Sequence, residues 1–314
     1  MRIKTVWHDN YHCLASGRLL STRKQKEVVE AALAEGLIAV ADKPTFNREA
    51  AWADIATVHA PAYVAAVRTG RPRRLAESQG FNWSPEFADS VVRIWNGHQA
   101  ACHLALSEGL VLHPVSGAHH ARRDCGSGFC TFNYLVGAGR ALLNDGTVRR
   151  VAILDLDAHA GDGTLSLVGE DDRFGLFDIS SGWAFERAGY YAARTSSDYF
   201  AALAKLPEFL DAFNPELVEY QAGMDCYEGD GMGAVRGLNA DRLEERDRVV
   251  LREVISRGIP TVINLAGGYL EDGTTVELHL QTIRIAGSLW EGASAGSASA
   301  RVATPGARGG NEKE

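Results

Sequence analysis

Residues 151–164 read Val-Ala-Ile-Leu-Asp-Leu-Asp-Ala-His-Ala-Gly-Asp-Gly-Thr. Val151 to Leu154 is an apolar run of the kind that fills a strand buried on both faces. Directly behind it stand Asp155, Asp157, His159 and Asp162, with Gly161 and Gly163 between them. Charges that leave a core must be paired, solvated or bound to a metal. Asp157 and His159 share parity, so both side chains leave the strand's end on one side. A carboxylate oxygen and an imidazole nitrogen converging on one point suit a divalent ion such as zinc. The plainer alternative is a solvated strand end with an Asp capping the next helix.

Working outward, the chain alternates strand and helix patterns. Strands are expected at 3–7, 38–40, 110–112, 151–156, 174–179, 217–222 and 261–265, with a strand end at 54–59. Helices are expected at 24–35, 61–67, 85–107, 129–143, 198–213, 241–257 and 275–286, with Ser84 and Pro85 as a cap and first-turn pair. Residues 69–84 and 181–197 read as surface loops. This alternation predicts a mainly parallel sheet covered by helices on both faces, an α/β/α sandwich. In such sheets ligands bind beyond the carboxyl ends of the strands. The unusual polar residues follow four of those ends, at 112, 156, 222 and 265. We expect one catalytic domain over 1–290 and a disordered, small-residue tail over 291–314.

Composition narrows the function. The chain has 314 residues, 46% of them hydrophobic, and a net charge of −8. With no basic excess to displace counterions, nucleic acid is not an expected partner. No run approaches the length of a membrane span, and the N-terminus lacks an apolar signal core, so we expect a cytoplasmic protein and no membrane partner. The five cysteines are scattered without a CxxC pair, which supports neither a disulfide framework nor a cysteine zinc site.

A zinc hydrolase uses three protein ligands and keeps a position for water. Asp157 and His159 supply two, and Asp225, directly after the strand at 217–222, is the natural third. His119 and His120 form a tandem pair in a Gly-rich loop after the strand at 110–112. Asp155 and Asp162 are left over from the metal count, so two His–Asp dyads are available to fix imidazole orientation and tautomer. Tyr269 follows Gly267-Gly268, whose freedom lets the backbone bend tightly. Its phenol can then donate to a developing oxyanion. Each of these residues also has an ordinary reading, as loop histidines, a turn-capping Asp or a core tyrosine.

Taken together and in order, these segments resemble the histone deacetylase and acetylpolyamine amidohydrolase family of the arginase–deacetylase superfamily, over about residues 5–288. The segments are His119-His-Ala with Ser127-Gly-Phe-Cys-Thr-Phe-Asn133, Asp155 to Thr164, Gln221-Ala-Gly-Met-Asp225 with Glu228-Gly-Asp-Gly231, Gly267-Gly-Tyr269 and, more weakly, His59-Ala-Pro-Ala-Tyr-Val64. The resemblance implies an arginase/deacetylase-like three-layer fold around a mainly parallel eight-stranded sheet. It implies one Zn2+ per chain held by Asp157, His159 and Asp225. His119 and His120 would be the acid–base pair, oriented by Asp155 and Asp162, and Tyr269 would polarise the amide carbonyl. Gly128 and Phe129 would line the acyl channel. A structural K+ or Na+ would sit near Asp155, Asp157, His159 and Asp178. The expected substrate is an acylated amine, lysine or polyamine-like.

Two departures bear on specificity. Ala160 stands where many members carry His or Gln, which brings the chain nearest to the short class IV deacetylases and their bacterial relatives, some of which take acyl chains longer than acetyl. Ser180-Ser-Gly-Trp-Ala-Phe185 differs from the segment that commonly walls the channel. Two other readings stand beside the deacylase. One is a binuclear manganese ureohydrolase-like amidinohydrolase, which needs carboxylates at positions occupied here by Gly161 and Tyr227. The other is a non-catalytic binder of acyl-lysine or acylpolyamine.

Overall fold

In the computed structural model, which describes residues 2–11 and 20–302, the motif strand is β4, Val151–Asp155, buried along its whole length. Seven further strands flank it: β1 (Ile3–Thr5), β2 (Ile38–Val40), β3 (Leu110–His113), β5 (Phe174–Ser181), β6 (Tyr190–Ala193), β7 (Leu217–Gln221) and β8 (Thr261–Asn264). They form one sheet in the order β2-β1-β3-β8-β7-β4-β5-β6, and every neighbouring pair is parallel. The four middle strands are β3, β8, β7 and β4, the strands whose ends carry the candidate residues. Their carboxyl ends open on one edge, where an open α/β sheet binds its ligand.

Helices cover both faces. One layer contains α2 (Arg48–Val58), α3 (Pro61–Thr69), α4 (Arg73–Ala76), α5 (Pro85–Glu108), α6 (Tyr134–Asn144) and α7 (Asp162–Val168), linked through α2–α5 and α5–α6 packing. The other contains α1 (Leu20–Ala34), α8 (Ser196–Leu203), α9 (Leu206–Phe213), α10 (Ala240–Ser256) and α11 (Thr274–Val302). One apolar core runs from Ile3 to Ala286. Among the described residues no helix is long and apolar enough to cross a membrane.

The α5–α6 seam depends on Gly137, because a Cβ there would overlap the Trp95 ring. Trp95 is itself fixed by its indole N–H, which donates to Asp54 at 2.6 Å. Gly137→Ala is therefore expected to destabilise the fold by about 1–3 kcal/mol through overpacking. An unchanged urea midpoint would show that the seam can relax.

Several local expectations change. Residues 54–58 belong to helix α2, with His59 as its C-cap, and the helix starts earlier because the Asn47 side chain accepts from Ala50 N and caps it. The expected helix at 129–143 begins only at Tyr134, where Asn133 caps Val136 N. Before it, Gly128 and Phe129 adopt positive φ (49° and 65°) and form a loop. The span 198–213 breaks into α8 and α9, since Pro207 has no N–H with which to continue a helix. The loop at 181–197 contains β6, a short edge strand paired to β5. Helix α11 runs past Ala286 to Val302 and takes in residues 291–302 of the expected tail. Residues 303–314 of that tail, and His12 and Cys13, lie outside the described residues.

Candidate metal centre and active site

Beyond β4 the backbone stays tethered on both sides. Leu156 N donates to Gln221 O at 3.1 Å, and Ser181 N donates to Ala158 O at 2.7 Å. This presents Asp157 and His159 at the sheet edge beside Asp225, which follows β7. Asp157 Oδ1 accepts from His159 N at 2.9 Å and lies 3.1 Å from His159 Nδ1. Asp157 Oδ2 accepts from Gly267 N at 2.8 Å. Asp225 Oδ1 accepts from Ala158 N at 2.9 Å, and its Oδ2 lies 3.0 Å from His159 Nδ1. One imidazole nitrogen therefore faces two buried carboxylates. It carries at most one proton, so among these protein groups a carboxylate charge stays uncompensated. Two carboxylates and an imidazole converging in this way fit a divalent cation. Gly267 is required here, because a Cβ would overlap Asp225 and crowd Asp157.

The electrostatics express the same crowding. Burial, with the Asp157 charge adding to it, pushes the Asp225 carboxyl up to about 6. Hydrogen bonds to Asp157 and Asp225 carry His159 up to about 11.

The two dyads expected from the sequence are both present. His119 Nδ1 lies 2.8 Å from Asp155 Oδ2, and His120 Nδ1 lies 2.6 Å from Asp162 Oδ1. The two rings stack obliquely with centroids 4.0 Å apart. His119 Nε2 is 3.7 Å from Asp157 Oδ1, and the His120 ring is 5.8 Å from that of His159. The adjacent histidines lie side by side where the loop is bent: Gly117 and Ala118 have φ of 89° and 93°. Gly128 passes directly beneath His120, where a Cβ would overlap the ring. Burial opposes a charge on His119, but Asp155 and Asp157 outweigh it and lift its pKa to about 10. His120 moves the other way, through burial and the charge of His119. The pair is thus split, one member held protonated and the other held neutral.

Asp162 is shared with Arg122, whose Nε donates to Oδ2 at 3.1 Å. Burial would raise this carboxyl, but hydrogen bonds from His120 and Arg122 hold it down at about 2. A depressed carboxyl stabilises the fold above its unfolded pKa of about 4 and loses that contribution as the pH falls toward 2. Asp162→Asn is expected to flatten acid unfolding between about pH 4 and 2. A variant with the wild-type acid profile would remove Asp162 from that balance.

Tyr269 lines the same cavity as His119. Its backbone N donates to Asp230 Oδ2 at 2.8 Å, and Gly268 before it has φ 130°. Its ring lies 6.0 Å from that of Phe129. Phe129, Gly128, His119, Asp157 and Tyr269 line one cavity, which continues inward to Tyr11 and Trp95. Of the four non-glycine residues with positive φ among the described residues, three, Ala118, Phe129 and Ala266, sit at this site. Strain of this kind persists only where surrounding contacts impose it.

The expected monovalent-cation group assembles in part. Asp178 is the cross-strand partner of Asp155, its Oδ2 accepts from Gly161 N at 2.9 Å, and its buried Oδ1 has no partner. The His159 imidazole faces Asp157 and Asp225 instead. Ser180 Oγ donates to Trp183 O at 2.7 Å, and Trp183 is left 57% exposed.

One residue at the site escaped the sequence reading. Lys24 of α1 is buried, and its Nζ donates to Ala266 O at 2.6 Å and Gly268 O at 3.1 Å. It lies 5.4 Å from the Tyr269 ring centroid. Burial lowers its pKa to about 8 against the pull of Asp225, Asp157 and Asp230. A signal existed: Lys24 stands one turn before Val28, on the apolar stripe of its helix.

Comparison with known proteins agrees with this arrangement. The histone deacetylase domain model matches residues 19–191, more than half of the chain. An uncharacterized protein of Picosynechococcus is 32% identical over 71% of this chain and 76% of its own length. Histone deacetylase 2 of Arabidopsis thaliana is 27% identical over 73% of this chain, and acetylpolyamine amidohydrolase of Mycoplana ramosa 26% identical over 58%. The matches span 64% and 55% of those two proteins. In fold, the chain is similar to a crystal structure of acetylpolyamine aminohydrolase from Burkholderia pseudomallei, with a TM-score of 0.74 and 19% identity over 91% of this chain and 99% of that one. Asp225 and Tyr269 lie beyond the residues matched by the domain model, and it is the sheet that brings them to the matched segment. With its arginase/deacetylase-type sheet and a domain match across the His-His and β4 segments, the chain belongs to the histone deacetylase family.

Proposed function

We propose that the chain is a zinc-dependent deacylase that hydrolyses the N-acyl amide of a lysine or a polyamine-like amine. The observation that carries this reading is the adjacency of the Asp157–His159–Asp225 donor set to the two His–Asp dyads, with Asp157, His119 and Tyr269 lining one cavity. Zinc held by Asp157, His159 and Asp225 would polarise the scissile carbonyl and make water a nucleophile near neutral pH.

The protein groups do the rest. A neutral imidazole of the pair accepts a proton from the attacking water, and His120, held neutral, suits that role. A protonated imidazole returns a proton to the leaving amine, and His119, beside Asp155 and Asp157, suits that one. Asp155 and Asp162 fix each ring through Nδ1 and leave Nε2 for the reaction. Tyr269 donates its phenol O–H to the oxygen that gains charge. Phe129 and the inner cavity accept the acyl chain. The products are a free amine and a carboxylate. Gly161 and Tyr227 supply no carboxylate for a second ion, which favours one metal over a binuclear centre. The partnerless Asp178 Oδ1 beside Asp155 suits a structural K+ or Na+. The four cysteines among the described residues are free thiols, consistent with a cytoplasmic enzyme.

The test is a screen of N-acyl amines that varies both halves, with acetyl to longer acyl groups on lysine peptides and on diamines. Zinc-loaded protein is expected to release free amine from at least one series. No release from any member would favour the non-catalytic binder.

A further inference from the structure

A second group of metal-type donors lies away from the pocket, between α5 and the sheet. His98 and Cys102 occupy positions i and i+4 of α5 and so share one face of the helix. That face meets Glu219, in the middle of β7, and His113, at the end of β3. All four side chains are fully buried. His98 Nε2 lies 2.7 Å from Glu219 Oε2 and 3.7 Å from Cys102 Sγ. The three donor atoms lie within 4.8 Å of one another, as do those of Asp157, His159 and Asp225.

Hydrogen bonding leaves this group incomplete. Glu219 Oε1 and His113 Nε2 are buried without a partner. A buried, half-satisfied carboxylate is strongly unfavourable unless something neutralises it. No Arg or Lys pairs with Glu219 among the described ion pairs, where its partner is His98. The neighbouring His98 Nδ1 lies 3.0 Å from His113 Nδ1. That contact would hold His98 in the tautomer that leaves Nε2 free for a metal, the outer contact that ligating histidines commonly make.

We propose that His98, Cys102 and Glu219 form a second, structural site for zinc or a similar borderline-soft divalent ion. His98 Nε2, Cys102 Sγ and Glu219 Oε2 supply three donors, and the partnerless Glu219 Oε1 completes the set. A thiolate, a carboxylate and a neutral imidazole around a 2+ ion sum to zero charge, the condition under which a cluster can be buried in an apolar layer. Binding displaces the Cys102 thiol proton and any proton held on Glu219, and both leave to solvent. With no opening at the site, the ion enters during folding and ties α5 to β7. This site does not depend on the reading of the catalytic centre, whose donor set of Asp157, His159 and Asp225 contains no sulfur.

Cobalt distinguishes the two sites. The full chain is refolded or expressed with Co2+, and the near-ultraviolet thiolate-to-cobalt charge-transfer band is recorded together with bound metal per chain. The expected result is that band with two ions per chain. Cys102→Ser should lose the band and one ion, while Asp225→Asn should lose one ion and keep the band. Absence of the band from the cobalt-loaded wild type, or its survival in Cys102→Ser, would overturn the proposal. Because the wild-type spectrum decides the matter alone, a variant that fails to fold does not leave it open.

Discussion

Tyr269→Phe is expected to lower kcat and kcat/KM together by about 10²–10³-fold, the effect of removing one oxyanion donor. KM and bound zinc should remain close to wild type. The substitution deletes a single oxygen. The backbone bond from Tyr269 N to Asp230 and the Lys24 bonds to Ala266 and Gly268 hold the loop whichever ring is present. The loss should therefore be confined to an interaction made as charge develops on the carbonyl oxygen. Unchanged turnover in this variant would take the phenol out of the mechanism. A raised KM at unchanged kcat would recast it as a substrate contact.

The histidine pair should show a different signature. His119→Ala and His120→Ala are each expected to cost about 10²–10⁴-fold in kcat, the range for general acid–base groups. The double variant should cost little more than the worse single, because residues acting as one unit are strongly non-additive. The rings are 4.0 Å apart, and the charge of His119 helps to hold His120 neutral. Removing His119 should therefore also shift the acidic limb contributed by His120 to higher pH. Fully additive losses, with no change in the pH profile of the survivor, would mean that the two rings act independently.

Much of this centre was legible because charges at strand ends are conspicuous. Asp155, Asp157, His159 and Asp225 follow apolar runs, where carboxylates need a reason to be, and the His-His pair and Gly-Gly-Tyr stand at the same sheet edge. The parts that escaped are those whose burial depends on tertiary packing. β6 has only four residues, with a half-buried Tyr191 beside an exposed Ala192, so no alternation marks it within its aromatic loop. Residues 54–59 look like a strand end because Ile55 and Val58 are β-formers, whereas the deciding signal is the Asn47 cap upstream. Lys24 and Glu219 look like solvated charges in sequence. One is drawn beneath the Tyr269 loop, and the other faces α5 from a strand buried on both sides. The i, i+4 spacing of His98 and Cys102 was visible, but only the packing of α5 on β7 brings Glu219 to it.

The direct test of the catalytic account couples metal and turnover in one sample. Wild type and Asp225→Asn are stripped with a chelator and titrated with zinc, and amine release from an N-acyl substrate is followed alongside bound zinc. The account predicts no turnover in stripped wild type, recovery as zinc is added, and neither recovery nor zinc at this site in Asp225→Asn. Wild-type turnover in stripped protein or in Asp225→Asn would contradict it.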